Sequence, residues 1–185
     1  FGTSAEYDAY LAAFRIPDII YTLIAGGILV SEFVPTFTDY LAREDRPGAW
    51  RMASAVINLV TLTLIAAAIL AALFAEPIVR YLLAPGVSAA QQQLTIQLMR
   101  LLLIPPIIFG ISGVVMGILY AHQSFWLPGL APSMYNLGII AGAIVLAPTL
   151  GVFGLAIGAI FGALLHLLVQ VPGIIIVKAR YTARL

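Results

Sequence analysis

Cysteine is absent from this chain, histidine occurs only twice, and charged residues make up 9% of the 185 positions. The lack of cysteine excludes a disulfide framework and thiolate chemistry. With so few histidines and no ligand-type spacing, we expect no metal site. A net charge of +1 argues against a nucleic-acid partner, which would favour a strongly basic face. Soluble proteins carry about 25% charged residues, so a soluble domain is excluded as well.

Motifs of catalysis are also missing. The sequence has no nucleophile motif, no phosphate-binding loop and no dinucleotide fingerprint. The sequence therefore gives almost no support for an enzymatic function, and we expect no cofactor.

Hydrophobic residues instead account for 62% of the chain, and they occur in long runs. Such runs predict membrane helices, because a membrane barrel would show short alternating segments. The predicted fold is all-α, a polytopic membrane helix bundle that forms a single transmembrane domain over residues 1–185. The predicted spans are five, at about 8–41, 52–74, 94–121, 127–146 and 152–177.

The first predicted span, 8–41, differs from the others because it carries charge. Its ionisable residues are Asp8, Arg15, Asp18, Glu32 and Asp39. Its helix-loosening residues are Pro17, Gly26, Gly27 and Pro35. A helix of this length would extend roughly 50 Å, whereas the hydrocarbon core is about 30 Å thick. The span must therefore tilt, bend or project, and we interpret it as the working helix, with Gly26, Gly27 and Pro35 as hinge points.

Arg15 lies well inside this span, where an arginine costs roughly 3 kcal/mol or more. It is a candidate anion site for a phosphate or carboxylate. The alternatives are local pairing with Asp18 at i+3 and snorkelling to the outer surface. Asp8 lies seven residues earlier, close to two turns, so it shares a face with Arg15. Glu32 and Asp18 are candidates for ion or proton coupling, although Glu32 could equally lie near the inner headgroups.

Lysine and arginine in the short loops predict the orientation. The loop after the first span holds Arg43, Arg46 and Arg51, and the tail holds Lys178, Arg180 and Arg184. Five spans place both segments on one side, the cytoplasm, so residue 1 is expected outside and the C-terminus inside. The chain starts with FGTSAEYD, which reads as the exit from an earlier element, and we expect a piece of a longer protein. A processed or trimmed chain is the alternative.

Small and polar residues in the later spans predict how the helices pack. Glycines recur at four-residue spacing, which lets membrane helices approach closely. These glycines are Gly113 and Gly117, Gly138 and Gly142, and Gly154, Gly158 and Gly162. His166 and Gln170, at i and i+4, and Asn136 are expected to bond neighbouring helices. Pro105 and Pro106 interrupt the third span.

Several motifs follow one another in a familiar order. DAYLAAFRIPD leads to FVPTFTDY, then LAPGV, and then a long run from MRLLLIPP to MYNLGII. Together with GVFGLAIGAIFGALLHLLVQVPGI, this order resembles the MurJ (MviN) lipid II flippases, over nearly the whole chain. Those proteins belong to the multidrug/oligosaccharidyl-lipid/polysaccharide exporter superfamily.

The resemblance implies a function and a place in a larger fold. MurJ proteins have fourteen helices in two lobes, and this chain would be helices two to six, a partial N-terminal lobe. The family moves the lipid-linked peptidoglycan precursor from the inner to the outer leaflet of the bacterial cytoplasmic membrane, by alternating access. Its first, second, seventh and eighth helices line a cationic cavity for the pyrophosphate. The implied partners are that precursor, membrane lipids and the missing helices, with a monovalent cation or the membrane potential as the driving force.

Residues carry over only in part. Asp8 matches the acidic residue at the start of the family's second helix, and Arg15 matches its basic position before the proline. Many members have an arginine where this chain has Tyr21 and Thr22, so part of the anion site is missing here. Alternatives to lipid II flipping are therefore another exporter of the superfamily, for polysaccharide lipids or drugs, and a structural membrane protein without cargo.

Overall fold

The computed structural model describes residues 4–26 and 32–181. These residues form helices joined by short turns, without a strand among them. The α-helices are α1 (Ala5–Tyr21), α2 (Val34–Ala42), α3 (Arg46–Leu73), α4 (Ala75–Ile78), α5 (Ala89–Leu102), α6 (Ile104–Ala121), α7 (Trp126–Ala141), α8 (Ala147–Leu150), α9 (Val152–Leu168) and α10 (Val171–Ile176). Wider π-helical turns extend α1 (Thr22–Gly26) and α4 (Val79–Leu83) and link α7 to α8 (Gly142–Leu146). The predicted all-α class is confirmed.

The described residues contain helical stretches long and apolar enough to cross a membrane. These stretches are Arg46–Leu73, Ala89–Ala121, Trp126–Leu150 and Val152–Ile176. They correspond to the last four predicted spans. The first predicted span includes residues 27–31, which lie outside the described residues, so the count of five spans stays a prediction.

Two of the spans begin earlier than predicted because of their caps. Asp45 accepts a hydrogen bond at 2.9 Å from the backbone N–H of Gly48, and α3 therefore starts at Arg46 rather than near 52. Pro47 fits this first turn, where its missing N–H needs no partner. Ser88 caps α5 by accepting from the N–H of Gln91 at 3.3 Å, so that span starts at Ala89 rather than near 94.

Prolines act differently in the third and fourth spans. Leu103 forms a turn between α5 and α6, and Pro105 and Pro106 occupy the first turn of α6, so the predicted interruption is present. Pro148 does not end the fourth span, which continues to Leu150. The π-helical turn Gly142–Leu146 comes just before this proline. The change in hydrogen-bond pattern there lets the helix continue although Pro148 has no N–H to donate.

Glycines bring α7 and α9 into direct backbone contact, as the four-residue spacing predicted. A Cβ built on Gly138 would lie 2.2 Å from the Cα of Gly162. A Cβ on Gly142 would lie 2.6 Å from the Cα of Gly158. No side chain other than hydrogen fits at these points, so the two glycine rows fix the distance between the last two spans.

The remaining packing forms two buried clusters. The larger joins α1, α5 and α9, and includes Tyr10, Leu98, Met99, Leu102 and Ala156. The smaller joins α2, α3 and α6, and includes Phe37, Trp50, Ala53, Val114 and Ile118. On the outward face of α3, Leu59, Leu62, Ile69 and Leu73 are exposed. Such an apolar exterior is typical of helices surrounded by lipid.

Candidate functional site

One face of α1 is charged and uncovered within the described chain. Asp8, Leu11, Arg15, Asp18 and Thr22 are all exposed. Their spacing alternates between three and four residues, which places them in one stripe along the helix. The structure thus puts three of the predicted site residues, two acidic and one basic, on a single face.

The opposite face of α1 fixes this orientation. Ala9, Tyr10, Ala13 and Pro17 are buried, and the helix packs mainly against α5. Tyr10 packs edge-on against Phe14, with ring centres 5.0 Å apart. The small residues Ala9 and Ala13 allow α1 to pack closely against α5. Rotation of α1 about its axis would expose this apolar contact, so the packing keeps the charged stripe on the outward face.

Arg15 does not use its local acidic neighbours. Among residues 4–26 and 32–181, ion pairs join Arg43 to Asp39 and Arg80 to Glu76, but none includes Arg15. Asp18 at i+3 therefore does not neutralise the guanidinium, and that alternative is not realised. Within the described residues, Arg15 remains a cation without an ion-pair partner on the exposed face of α1.

A cavity of about 310 Å³ opens beside this stripe at Asp18. Its lining residues are Phe14, Pro17, Asp18, Tyr21, Leu102, Pro105, Pro106, Phe109, Gly113, Met116, Tyr135 and His166. Asp18 is exposed and also lines the cavity, so the cavity communicates with the charged face of α1. The proline pair that interrupts the third span forms part of its wall.

Phe109 is the centre of the aromatic wall. Its ring meets Tyr135 edge-on at a centroid distance of 5.0 Å and His166 at 5.1 Å. Tyr21 from α1 lies 5.9 Å away from the same ring. The aromatic contacts join α1, α6, α7 and α9 around the cavity. Movement of one of these helices would therefore displace the rings of the others.

A polar chain lies behind this wall. Ser112 Oγ lies 2.7 Å from His166 Nδ1, and Gln170 Nε2 donates to the same oxygen at 2.7 Å. Gln170 Nε2 also donates to the backbone carbonyl of His166 at 2.9 Å. The prediction that His166 and Gln170 bond a neighbouring helix is confirmed, and the partner is α6. Asn136 is exposed and makes no side-chain hydrogen bond with any described residue.

Sequence reasoning missed Ser112 and Tyr135. A serine within a strongly apolar run was the available sequence signal for Ser112, since a hydroxyl in such a segment requires a hydrogen-bond partner, but only the structure identifies the partners. Tyr135 precedes Asn136, and nothing in the local sequence separates an aromatic that lines a cavity from one that faces lipid. Only the packing of α7 against α9 and α6 shows the difference.

The other predicted residues lie away from the cavity. Glu32 is exposed, and its backbone carbonyl accepts from Thr36 Oγ1 at 2.7 Å. Pro35 is exposed in the first turn of α2, and Gly26 is the last residue of the π-helical turn that follows α1. Gly27 lies outside the described residues. Across the described ranges, no three His, Asp or Glu side chains are placed to hold a metal ion.

Chemically, the site offers a cation, Arg15, one turn away from a largely apolar cavity whose polar groups come from Asp18, Tyr21, Tyr135 and His166. Arg15 can bind an anion through its planar guanidinium. The Asp18 carboxyl and the His166 imidazole can each hold a proton or help to hold a cation. Together with the four helical stretches long and apolar enough to cross a bilayer, these features indicate an integral membrane protein with an uncovered charged face on α1.

Comparisons with known proteins agree with this class. The sequence model of a family described as "Lipid II flippase MurJ" matches residues 1–184. The chain therefore belongs to the lipid II flippase MurJ family. The lipid II flippase MurJ of Burkholderia cenocepacia is 30% identical over 178 residues, which are 94% of this chain and 34% of that protein. The lipid II flippase MurJ of Thermosipho africanus is 29% identical over 98% of this chain and 37% of its own length.

A solved structure agrees as well. "Lipid II flippase MurJ, inward closed conformation" has a TM-score of 0.81 and 28% identity, and the match covers 100% of this chain and 38% of that one. The chain spans about a third of the length of the curated relatives it matches.

Proposed function

We propose that this chain is part of a lipid II flippase that moves the undecaprenyl-linked peptidoglycan precursor from the inner to the outer leaflet by alternating access. The observation that carries the proposal is the charged, uncovered face of α1 in a chain of this family. The protein acts as a transporter and not as an enzyme.

The cost of charge in lipid supports a protein-lined cavity on this face. Each of Asp8, Arg15 and Asp18 would cost roughly 3 kcal/mol at the centre of a lipid-facing helix. Three such residues on one stripe are therefore tolerated only against water or against protein. Helices beyond this chain would form the other walls, as the family resemblance implies.

Arg15 is proposed to bind the pyrophosphate of the cargo. It is the basic member of the stripe, and none of the described carboxylates neutralises it. Asp8 lies two turns away on the same face, does not pair with Arg15 in the described part of the chain, and would contact polar groups of the headgroup. Tyr21 and Thr22, which follow Asp18, are uncharged, so further positive charge for the pyrophosphate would come from helices beyond this chain.

Coupling is proposed to involve Asp18 rather than Glu32. Asp18 lines the cavity that also contains His166, whereas Glu32 does not. A proton or a monovalent cation bound at Asp18 would change the charge beside Arg15 and so change its affinity for the anionic cargo. The membrane potential could drive the same step, and Glu32 stays a prediction.

Bending is proposed to occur where α1 ends. The π-helical turn to Gly26 widens the helix there, and π turns often mark functional sites. Gly27 and Pro35 are the further hinge candidates, since glycine and proline both weaken helical hydrogen bonding. Rocking of the two lobes about this region would alternate access to the cavity.

We also propose that the protein lies in the bacterial cytoplasmic membrane. The arginine-rich loop before α3 and the tail after α10 would then face the cytoplasm. Arg46 and Arg51 lie beside Lys178 and Arg180 at the same end of the bundle. Loops rich in lysine and arginine stay in the cytoplasm.

Growth complementation tests the function. The protein at its natural length is expressed in a bacterium depleted of its own lipid II flippase, as wild type, as Arg15→Ala and as Arg80→Ala. Arg80 is an exposed arginine paired to Glu76 and serves as the matched control. Rescue by wild type and Arg80→Ala, but not by Arg15→Ala at equal membrane levels, is expected. Failure of well-expressed wild type to rescue would refute lipid II as the cargo.

A second candidate, a drug or polysaccharide-lipid exporter, is favoured by one observation. Acidic residues outnumber basic ones on the α1 stripe, and Tyr21 and Thr22 are uncharged. An organic cation would use Asp8 and Asp18 and would not need Arg15. Resistance to organic cations that depends on Asp18 but not on Arg15 would favour this candidate.

A further inference from the structure

Two fully buried polar side chains lie behind the aromatic wall of the cavity and contact His166. Ser112 on α6 and Gln170 between α9 and α10 are both 0% exposed. Ser112 bonds the imidazole of His166, and Gln170 bonds its backbone carbonyl. Because buried polar atoms need hydrogen-bond partners, the donor and the acceptor of each of these bonds can be assigned. The assignment decides which nitrogen of His166 carries the proton.

The orientation of the Gln170 amide is fixed by the backbone. A backbone carbonyl only accepts, so the amide atom that lies 2.9 Å from the His166 carbonyl oxygen must be the nitrogen, Nε2. The same nitrogen lies 2.7 Å from Ser112 Oγ and donates its second hydrogen there. Turning the amide over would place Oε1 against the carbonyl oxygen, which would bring two acceptors into contact. Ser112 Oγ therefore accepts a hydrogen bond from Gln170.

The hydroxyl hydrogen of Ser112 then has one acceptor within reach among the described residues, His166 Nδ1 at 2.7 Å. Helical serines can instead bond the carbonyl four residues earlier, as Ser54 bonds Trp50 at 2.7 Å, but Ser112 forms no such bond with any described residue. A proton on Nδ1 would make Ser112 accept twice and would leave its own hydrogen buried without a partner, which is costly. Nδ1 is therefore the acceptor, and the imidazole is neutral with its proton on Nε2.

His122 has the opposite arrangement and provides an internal comparison. Its Nδ1 lies 2.8 Å from the backbone carbonyl oxygen of Ile118, which can only accept. The Nδ1 of His122 therefore carries a proton. The two histidines of this chain are thus expected to differ in tautomer, and in each case the partner of Nδ1 sets the difference.

The Nε2 edge of His166 is the part of the ring left to line the cavity. The two nitrogens lie at different edges of an imidazole, and the Nδ1 edge is turned toward the buried Ser112. Within residues 4–26 and 32–181, Nε2 forms no hydrogen bond. The cavity wall therefore contains a hydrogen-bond donor, the Nε2–H of His166, that no described residue engages.

This donor limits what His166 can bind. A cation needs a nitrogen lone pair, and the lone pair of His166 is on Nδ1, where Ser112 already engages it. The other ionisable residues that line the cavity are Asp18 and Tyr21 from α1 and Tyr135 from α7, while the lining residues from α5 and α6 are not ionisable. One accepting carboxylate and one fixed N–H donor suit an uncharged group that has hydroxyl or carbonyl oxygens.

We propose that Ser112 and Gln170 are positioning residues that hold His166 as the neutral Nε2–H tautomer, and that this N–H donates to an uncharged oxygen of the cargo headgroup. The choice of ligand rests on the proposed function, since the sugar and peptide parts of a peptidoglycan precursor carry hydroxyl and carbonyl oxygens. A cavity of about 310 Å³ with aromatic walls and few polar groups has the character of a small-molecule site. His166 then neither takes up a coupling proton nor holds a cation, and Asp18 keeps that role.

Nitrogen NMR tests the tautomer without any transport measurement. The natural-length protein, with isotope-labelled histidine side chains, is reconstituted in lipid bilayers near neutral pH, and the His166 signals are identified by their loss in His166→Gln. Wild type should show a protonated Nε2 and an unprotonated Nδ1. Ser112→Ala and Gln170→Leu should each give a mixture of tautomers, and Ser112→Thr, which keeps the hydroxyl, should restore a single one. Thr63→Ala, which removes an exposed hydroxyl from α3, is the control and should change nothing.

Translocation of fluorescent lipid II distinguishes a fixed donor from a proton carrier. Glutamine at position 166 keeps a neutral N–H near the place of Nε2 but cannot titrate, whereas leucine has neither property. His166→Gln should stay within about threefold of the wild-type rate, with the same dependence on pH. His166→Leu should be about 3- to 10-fold slower, which is the effect expected for the loss of one neutral hydrogen bond.

Three results would overturn the proposal. A protonated Nδ1 on His166 in wild type would refute the tautomer, and an unchanged tautomer in Ser112→Ala would refute the positioning role. Equal slowing by His166→Gln and His166→Leu, or a changed pH profile in His166→Gln, would refute the donor role. A wild type that moves no lipid II would refute the proposed function and the ligand together, while the NMR spectra would still decide the roles of Ser112 and Gln170.

Discussion

Replacing Gly138 by alanine should separate the last two membrane spans. A Cβ at this position would lie 2.2 Å from the Cα and 2.4 Å from the N of Gly162. Both are backbone atoms of α9, so no side-chain rotation can relieve the overlap. Contacts of 3.4–4 Å are ordinary, and α7 and α9 must therefore move apart by about 1 Å at this point.

The expected cost is moderate. Overpacking in a close-packed interface costs roughly 1–3 kcal/mol. In a membrane this loss is not offset by the hydrophobic effect, because close contact itself drives helix association. Because alanine is favoured over glycine in a helix, the substitution offsets this cost by up to about 1 kcal/mol. A net destabilisation of about 1–2 kcal/mol follows for Gly138→Ala.

Gly129 provides the matched control on the same helix. A Cβ there meets nothing within 4 Å. Gly129→Ala should therefore be neutral or slightly stabilising, since only the helix preference acts. Thermal unfolding of the natural-length protein in detergent, followed by size exclusion, should place Gly138→Ala on the order of 1–3 °C below Gly129→Ala.

Separation of α7 and α9 should also change the cavity wall. His166 lies four residues after Gly162 on α9, and Tyr135 lies three residues before Gly138 on α7, so the same displacement should reach the cavity wall. Equal unfolding temperatures for the two variants would refute the reasoning, because they would show that the two glycine rows do not set the distance between these helices.

Three further predictions concern the cavity and the hinge. Asp18→Asn should leave folding intact but slow transport and flatten its dependence on pH, measured as lipid translocation in vesicles; an unchanged pH profile would exclude Asp18 from coupling. Ser112→Ala should lower the unfolding free energy by about 1 kcal/mol, because His166 and Gln170 both lose a hydrogen bond; unaltered thermal stability would show that water replaces the hydroxyl. Alanine at both Gly26 and Gly27 should impair transport without loss of folded protein, and full transport activity would remove the proposed hinge.

The fold was largely predictable because apolar runs indicate membrane helices, and glycine spacing indicates their close packing, within short stretches of sequence. The glycine rows correctly indicated that helices approach closely, since a four-residue repeat keeps one face of a helix free of side chains, but which helices meet, α7 and α9, came from the structure. Helix starts were less accurate because caps such as Asp45 extend a helix into polar sequence. The end of the fourth span was misplaced because a π-helical turn tolerates Pro148.

The candidate site was predictable only in part. Charge in an apolar span made Arg15 and Asp18 candidates without any structure, because such residues are costly in lipid. Their orientation could not be derived from sequence alone, since Arg15 could equally have paired with Asp18. Ser112 and Tyr135 needed the tertiary structure, because the cavity forms where separate helices meet.

The central claim is that Arg15 binds the anionic headgroup of the cargo during translocation. The most direct measurement reconstitutes the natural-length protein in vesicles that contain fluorescent lipid II, and follows movement of the label between leaflets by chemical quenching. Wild type and Arg80→Ala should move the lipid, and Arg15→Ala should move it at least tenfold more slowly, about 1.4 kcal/mol or more in barrier height. Equal rates for wild type and Arg15→Ala, at equal protein content, would contradict the account.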